Sequence, residues 1–288
     1  MRKIDYLPQF KGFGIADADF DQLIKKELPV LMLEPKDFGI ASGEKPAVIG
    51  VLLGRDEDNY CLSEDYVHAL INAGARILFL DYRCHLLQLS FCDGLLLPGG
   101  SFATPEWYYS DAKNNYGDYP SDRANAYAEC FWYAHKAGIP ILGICAGMQV
   151  IAAESGLKLF RSSAYFDSEL KHKTDEFPAH HIDVVANTAF SELMDNSQQI
   201  AVNSRHNEFV APINVQRELL NLKENQKLPL EIYACATDGI PEAIGDMENG
   251  ILGVQWHPEN MAAQGNEIQQ RIFDWLVIEA LFVKAKNA

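Results

Sequence analysis

At 288 residues the chain has length for about two domains of roughly 150 residues, or for one large α/β domain with insertions. Intrinsic disorder is excluded, because 48% of the residues are hydrophobic against 22% charged. Forty Asp and Glu against 24 Lys and Arg leave a net charge of −16 with no basic cluster, so neither nucleic acid nor an anionic membrane is an expected partner.

Residues 1–45 show no clean period and run into Ser42-Gly43-Glu44-Lys45-Pro46. They are expected to be an N-terminal arm on a domain spanning 46–288. From Ala47 the run AVIGVLL predicts a strand buried on both faces. Ser63 is placed to cap a helix whose Tyr66, Val67, Leu70 and Ile71 share one face, with Gly74 as its stop. Strands are predicted over 75–80 and 94–97, the latter ending in Pro98-Gly99-Gly100. An aromatic loop follows (Phe102, Trp107, Tyr108, Tyr109, Tyr116, Tyr119), to be either local packing or a lid. A helix over 122–137 closed by Gly138, a strand over 140–144 and a helix over 146–155 closed by Gly156 complete the first half. The repeated strand, helix, strand order predicts an α/β fold, a mostly parallel central sheet with helices on both faces.

The second half is richer in short β runs, at 181–185, 200–203 and 231–237. Asp238-Gly239 and Asn249-Gly250 then separate apolar runs, which predicts two successive hairpins and hence an antiparallel β meander joined to the parallel sheet. Ile268, Ile272, Trp275, Ile278 and Phe282 fall at helical spacing within a closing helix over 266–284. The whole is expected to be one α/β domain.

Six cysteines (Cys61, Cys84, Cys92, Cys130, Cys145, Cys235) are scattered, with no CxxC pair and no Cys/His cluster at zinc-ligand spacing. No apolar run approaches the roughly 20 residues of a membrane span, and the first residues lack the apolar stretch of a secretory signal. A cytoplasmic protein without disulfides or a metal site is the expectation.

Cys145 differs from the other five cysteines. It sits in Gly143-Ile144-Cys145-Ala146-Gly147, where a predicted strand runs directly into a predicted helix. This is the pattern of a nucleophile elbow, and the helix N-terminus favours the reactive thiolate. Downstream, Trp256-His257-Pro258-Glu259 ends the meander. In an extended segment His257 and Glu259 would face the same side, and the carboxylate would fix the imidazole tautomer. Gly99 and Gly100 lie at the carboxyl end of a parallel strand, where open α/β sheets hold their ligand crevice. Gly100 N–H and Ala146 N–H could there form an oxyanion hole. Each feature alone has an ordinary reading: a core cysteine, a solvated His and Glu, a plain turn. Together they are specific.

With LLPGG, GICAGMQ, VNSRH and GVQWHPE in that order and spacing, the chain resembles the class I glutamine amidotransferase-like superfamily and, within it, the peptidase C26 group of γ-glutamyl hydrolases. The resemblance implies a flavodoxin-like sheet, Cys145 as nucleophile, His257 as base, Glu259 as its orienting acid, and Gly100 with Ala146 as oxyanion donors. Gly99, Gln149, Asn203, Ser204, Arg205 and His206 would line or support the substrate side. It further implies no metal or organic cofactor, a homodimer, and a small γ-glutamyl substrate such as a γ-glutamyl-γ-aminobutyrate-like compound. Ala146 stands where the γ-glutamyl-γ-aminobutyrate hydrolases carry arginine, and Arg205 and Asn207 also depart from their pattern, which weakens the substrate assignment. Arg205 would either bind a substrate carboxylate or pair with Glu208. Two alternatives stay open: a glutaminase subunit passing ammonia to a synthase, and a non-catalytic binding protein. The chain has no P-loop and no G-x-G-x-x-G fingerprint, which favours a free-standing hydrolase.

Overall fold

The computed structural model describes residues 3–6, 32–33, 46–56, 59–82, 84–110, 121–161, 170–223 and 226–287. Its main sheet contains β1 (Met32–Leu33), β2 (Val48–Leu52), β3 (Arg76–Leu80), β4 (Gly94–Leu97) and β5 (Ile141–Ile144). The second half supplies β6 (His180–Val184), β7 (Gln199–Val202), β8 (Glu231–Ala236), β9 (Pro241–Asp246) and β10 (Ile251–Val254). Across the sheet the order is β7-β6-β8-β9-β10-β5-β4-β2-β3-β1. The five strands β10, β5, β4, β2 and β3 are parallel. The antiparallel β8-β9-β10 meander joins β6 and β7 on one flank, and β1 pairs antiparallel at the other edge.

The central strands are apolar on both faces because helices cover both. Ile49, Val51, Leu96 and Ile144 pack into a core that includes α1 (Glu64–Asn72), α5 (Pro258–Ala262) and α6 (Glu267–Asn287). Their neighbours Val48, Leu52, Leu95 and Leu97 point the other way, toward α2 (His85–Leu89), α3 (Asp122–Ala137) and α4 (Ala146–Glu154). This alternation is the period of two that a strand imposes.

Two predicted caps are in place: Ser63 Oγ accepts from Asp65 N–H, and Gly138 closes α3 in the left-handed conformation at φ 66°. Ser121, not singled out from the sequence, caps the other end of α3 by accepting from Ala124 N–H. Some elements carry no sequence signal. A hairpin joins Gly54–Asp56 to Asn59–Ser63, whose outer edge pairs with Lys3–Tyr6. The five residues of α2 are too few to show a period. In the aromatic loop Tyr108 and Tyr109 are buried and bond to Glu154 and Glu208; Tyr116 and Tyr119 lie outside the described residues. No helix among the described residues is long and apolar enough to cross a membrane.

Candidate active site

Three adjacent parallel strands end side by side, and each releases its chain into one crevice: β4 into Pro98-Gly99-Gly100, β5 into Cys145, and β10 into Gln255-Trp256-His257. Segments far apart in sequence thus converge at the carboxyl edge of the sheet, the place where open α/β sheets bind ligands.

Cys145 is the N-cap of α4, with φ 53° and ψ −106°. An L-residue held there stores strain of about 1–3 kcal/mol. The strain is tolerated because Cys145 N–H still donates to Val254 O at 2.8 Å, extending the β5–β10 ladder, and Gln149 N–H donates to Cys145 O at 3.1 Å. The flanking glycines are steric requirements. A Cβ on Gly143 would lie 2.6 Å from the Gly147 carbonyl carbon, and one on Gly147 would overlap the Leu97 carbonyl. Cys145 is only 7% exposed, and it lies beside His257: a Cβ on Gly99 would meet both His257 Cε1 at 2.7 Å and Cys145 Cβ at 3.2 Å.

His257 Nδ1 lies 2.7 Å from Glu259 Oε1. The carboxylate is buried and the imidazole side chain is 15% exposed. The pair is not formed across an extended segment, as the sequence suggested. Pro258 stands at the first position of a helix, where its fixed φ and missing N–H suit it, so His257 becomes the N-cap of α5 and Glu259 lies in its first turn. Burial opposes the charged imidazole. The Glu259 charge, together with hydrogen bonds to Cys145 and Glu259, outweighs it and holds the His257 pKa well above the ordinary value. With Nδ1 bound to the carboxylate, Nε2 is the nitrogen left for the sulfur.

Asn203 sets the backbone of this histidine. Its Oδ1 accepts from His257 N–H at 2.8 Å while its Nδ2 donates to His257 O at 2.9 Å. The turn after β4 is fitted just as closely. A Cβ on Gly99 would lie 2.7 Å from His257 Cε1, and Gly99 N–H donates to Tyr66 Oη at 2.9 Å. Burial, then the charge of Glu259, pushes the Tyr66 phenol well above its ordinary range, so it remains neutral. Gly100 has φ 150°, and a side chain there would run into the Arg123 guanidinium. Arg123 Nη2 donates to Gly99 O at 2.8 Å and to Tyr127 Oη at 2.7 Å, and Tyr127 donates onward to Pro98 O. Ala146, the first residue of α4, carries one of the N–H groups that a helix N-terminus leaves without an intrahelical acceptor.

The remaining predicted residues differ in where their side chains go. Gln149 Nε2 donates to Glu208 O at 2.7 Å and to Gln255 Oε1 at 3.3 Å, which ties α4 to the opposite segment. Ser204 and His206 are buried with their side chains inside the protein: Ser204 Oγ donates to His172 O, and His206 Nδ1 donates to Glu208 O. Arg205 pairs with Asp175 at 3.4 Å, whereas Glu208 accepts from Tyr109. Asn203 and Arg205 border a groove shared with Asp65, Asp175, Glu176 and Asn260. Sequence reasoning missed Tyr66 and Arg123 as site residues. Tyr66 had registered only as an apolar-face position, and an arginine in the first turn of a helix gives no signal.

The chain is similar to several known proteins. The family model described as Peptidase C26 matches residues 48–259. A glutamine amidotransferase-like protein of Lactococcus lactis is 29% identical over 175 residues, covering 59% of this chain and 67% of its own. The γ-glutamyl-γ-aminobutyrate hydrolase of Escherichia coli K12 is 27% identical over 231 residues, covering 74% of this chain and 85% of its own. Among solved structures, a protein described as a GMP synthase subunit, from Thermoplasma acidophilum, superimposes with a TM-score of 0.57 at 17% identity, covering 85% of this chain and 99% of its own. The glutaminase domain of Trypanosoma brucei CTPS, with bound acivicin, gives 0.55 at 16% identity, covering 82% and 94%. At such identities these two show the fold, that of the class I glutamine amidotransferases.

Proposed function

The chain belongs to the Peptidase C26 family, and from that premise we propose that it is a cysteine-dependent hydrolase of the γ-glutamyl amide bond in a small γ-glutamyl compound. The observation that carries this reading is the meeting of Cys145, on its strained turn at a helix N-terminus, with an imidazole held at 2.7 Å by a buried carboxylate.

The Cys145 sulfur attacks the amide carbon, and the carbonyl oxygen takes up the negative charge of a tetrahedral intermediate between Gly100 N–H and Ala146 N–H. His257 hands its Nε2 proton to the leaving nitrogen, the C–N bond breaks, and a γ-glutamyl thioester remains on Cys145. Water then gives a proton to His257 and its hydroxyl to the thioester carbon. The C–S bond breaks, glutamate leaves, and the sulfur and imidazole share the returned proton. Glu259 stabilises the imidazolium throughout. Neither a metal nor an organic cofactor enters these steps. Asn203, whose amide holds the His257 backbone, also lines a groove with Asp65, Asp175, Glu176 and Arg205, and its carboxylates, which outnumber its one arginine, favour a product that is a cation at neutral pH.

Purified protein incubated with γ-glutamyl-γ-aminobutyrate, γ-glutamyl dipeptides, γ-glutamyl polyamines and glutamine is expected to release glutamate from at least one γ-glutamyl amine faster than from glutamine. Cys145→Ala is expected to abolish release while the circular dichroism spectrum stays unchanged. Activity persisting in that variant overturns the mechanism, and preference for glutamine points instead to an amidotransferase glutaminase.

A further inference from the structure

Away from Cys145, three histidines and a glutamate are packed together in the interior. His172 and His206 come from the segment around the short Lys173–Thr174 and Ser204–Arg205 pairing, His180 from β6, and Glu242 from β9. Glu242 is fully buried and the three histidines are at most 5% exposed. One oxygen, Glu242 Oε1, faces all three rings: His180 Nε2 at 3.1 Å, His172 Nδ1 at 3.4 Å and His206 Nε2 at 3.5 Å. The rings of His180 and His206 both pack on His172, with centroids at 4.8 and 5.0 Å.

The outward-facing nitrogens decide what the inward-facing ones can do. His172 Nε2 meets the Asp238 carboxylate at 2.8 Å, and His206 Nδ1 meets the Glu208 carbonyl at 3.0 Å. Carboxylate and carbonyl oxygens only accept here, so each of those nitrogens carries its ring's proton. With an ion bound, His172 Nδ1 and His206 Nε2 would each present a lone pair. Without one, burial opposes charge on His172, but the Asp238 and Glu242 carboxylates raise its pKa to about 9, so an incoming ion displaces a proton there. Neither His172 Nδ1 nor His206 Nε2 has a hydrogen-bond partner within normal geometry, nor do Glu242 Oε2 and the outer nitrogen of the third ring, His180 Nδ1; two of the three rings therefore have an outer acceptor.

Distances separate the two ways of filling such a centre. Charge-assisted N–H···O bonds run at about 2.7–2.9 Å, and the outer His172–Asp238 contact obeys that. The His180 contact at 3.1 Å is an ordinary hydrogen bond, whereas those of His172 and His206, at 3.4 and 3.5 Å, are too long for one and match the edge of a coordination tetrahedron. Metal–ligand bonds of about 2.0–2.1 Å place neighbouring ligand atoms about 3.3 Å apart. His172, His180 and Glu242 each bring one ligand atom within 4.8 Å of the others, and His206 Nε2, 3.5 Å from Glu242 Oε1, is the nearest further donor. A histidine whose second nitrogen donates to a carboxylate or a backbone carbonyl is the usual supporting shell of a metal ligand.

We propose that His172, His180, His206 and Glu242 form a closed structural site for one divalent transition metal ion, zinc by preference. Three imidazoles and a carboxylate suit Zn²⁺ and its neighbours rather than Mg²⁺ or Ca²⁺, which take all-oxygen sets. Four protein ligands with no solvent-facing position make the site structural, not hydrolytic. The ion would fasten β6 and β9 to the Asn203–Glu208 stretch, whose Asn203 holds His257 and whose Glu208 carbonyl holds Gln149. The sequence reading expected no metal because these ligands come one at a time from positions 172, 180, 206 and 242, without the close pairs that mark a zinc motif.

The full chain, stripped with dipicolinate and dialysed metal-free, would be titrated with Zn²⁺ by calorimetry and with Co²⁺ by visible absorption. One equivalent of either ion is expected, with the intense bands of tetrahedral Co²⁺ and a higher Tm. Glu242→Gln removes the anionic ligand and should abolish the bands. Asp238→Asn, at the edge of the cluster, keeps the ligands but loses their carboxylate support and should weaken binding 10–100-fold. Cys145→Ala should bind as the parent does, which separates this site from the candidate active site. Failure of the parent chain to bind either ion overturns the proposal, as does an octahedral Co²⁺ spectrum. Binding indifferent to both Glu242→Gln and Asp238→Asn, or lost in Cys145→Ala, overturns it too.

Discussion

Two of the places where imidazole meets carboxylate among the described residues are built to opposite ends. At the crevice one ring meets one carboxylate at 2.7 Å, within the range of a charge-assisted bond, and its far nitrogen is left to a sulfur. In the interior three rings meet one oxygen at 3.1 to 3.5 Å, with two of them anchored from outside by other acceptors. The first arrangement gives a proton a firm place and a short path to a reacting atom. The second sets three ring nitrogens around one buried carboxylate oxygen, with no reacting atom beside them to take a proton. Residue type is therefore a poor guide to chemistry at histidine clusters; what the second nitrogen of each ring is bound to decides whether the first can transfer a proton or hold an ion.

The largest expected effect tests the first cluster directly. His257→Gln keeps a polar side chain but cannot shuttle a proton, and glutamate release should fall about a thousandfold, measured as initial rate on the best γ-glutamyl amine. Retention of more than a tenth of the activity would remove the distinction drawn between the two clusters.

Glu259→Gln should cost less, on the order of a hundredfold, since the amide oxygen still accepts from Nδ1. Its effect on pH is more informative. Burial already works against the His257 imidazolium and the Glu259 charge is what lifts its pKa. Without the charge the folded-state pKa must fall. The protonated ring that serves the leaving amine is then lost at a lower pH, so the alkaline limb of the pH–rate profile should move down. An alkaline limb that stays in place would mean that another group sets it.

Legibility in the sequence followed the range of the interactions involved. The elbow was readable because everything it needs is local: a strand, glycines at 143 and 147, and a helix beginning at Ala146. The meander was readable for the same reason, through Asp238-Gly239 and Asn249-Gly250. His257 and Glu259 were recognised as partners, but through the wrong geometry. Spacing of two fits a strand, and only the proline at the first helical position turns the pair into a contact across a helix N-terminus. Tyr66 sits among apolar positions of α1, and its hydroxyl finds Gly99 N–H only because α1 packs beside the end of β4. Ser204 and His206 share a short motif with Asn203, yet their side chains run inward to His172, Glu208 and Glu242. One-dimensional spacing could not separate them.

Asn203 joins the two clusters and gives the smallest and most discriminating prediction. Its sequence context placed it among substrate contacts, whereas its side-chain amide is occupied on both sides by the backbone of His257. A residue that positions the base should affect turnover more than binding, because a slightly misplaced imidazole weakens proton transfer without changing the substrate pocket. Asn203→Ala is therefore expected to lower kcat roughly tenfold with KM nearly constant. The reverse pattern, a raised KM with kcat unchanged, would return Asn203 to the substrate wall. It would also mean that the stretch through Ser204 and His206 serves the crevice directly and not by holding His257 in place.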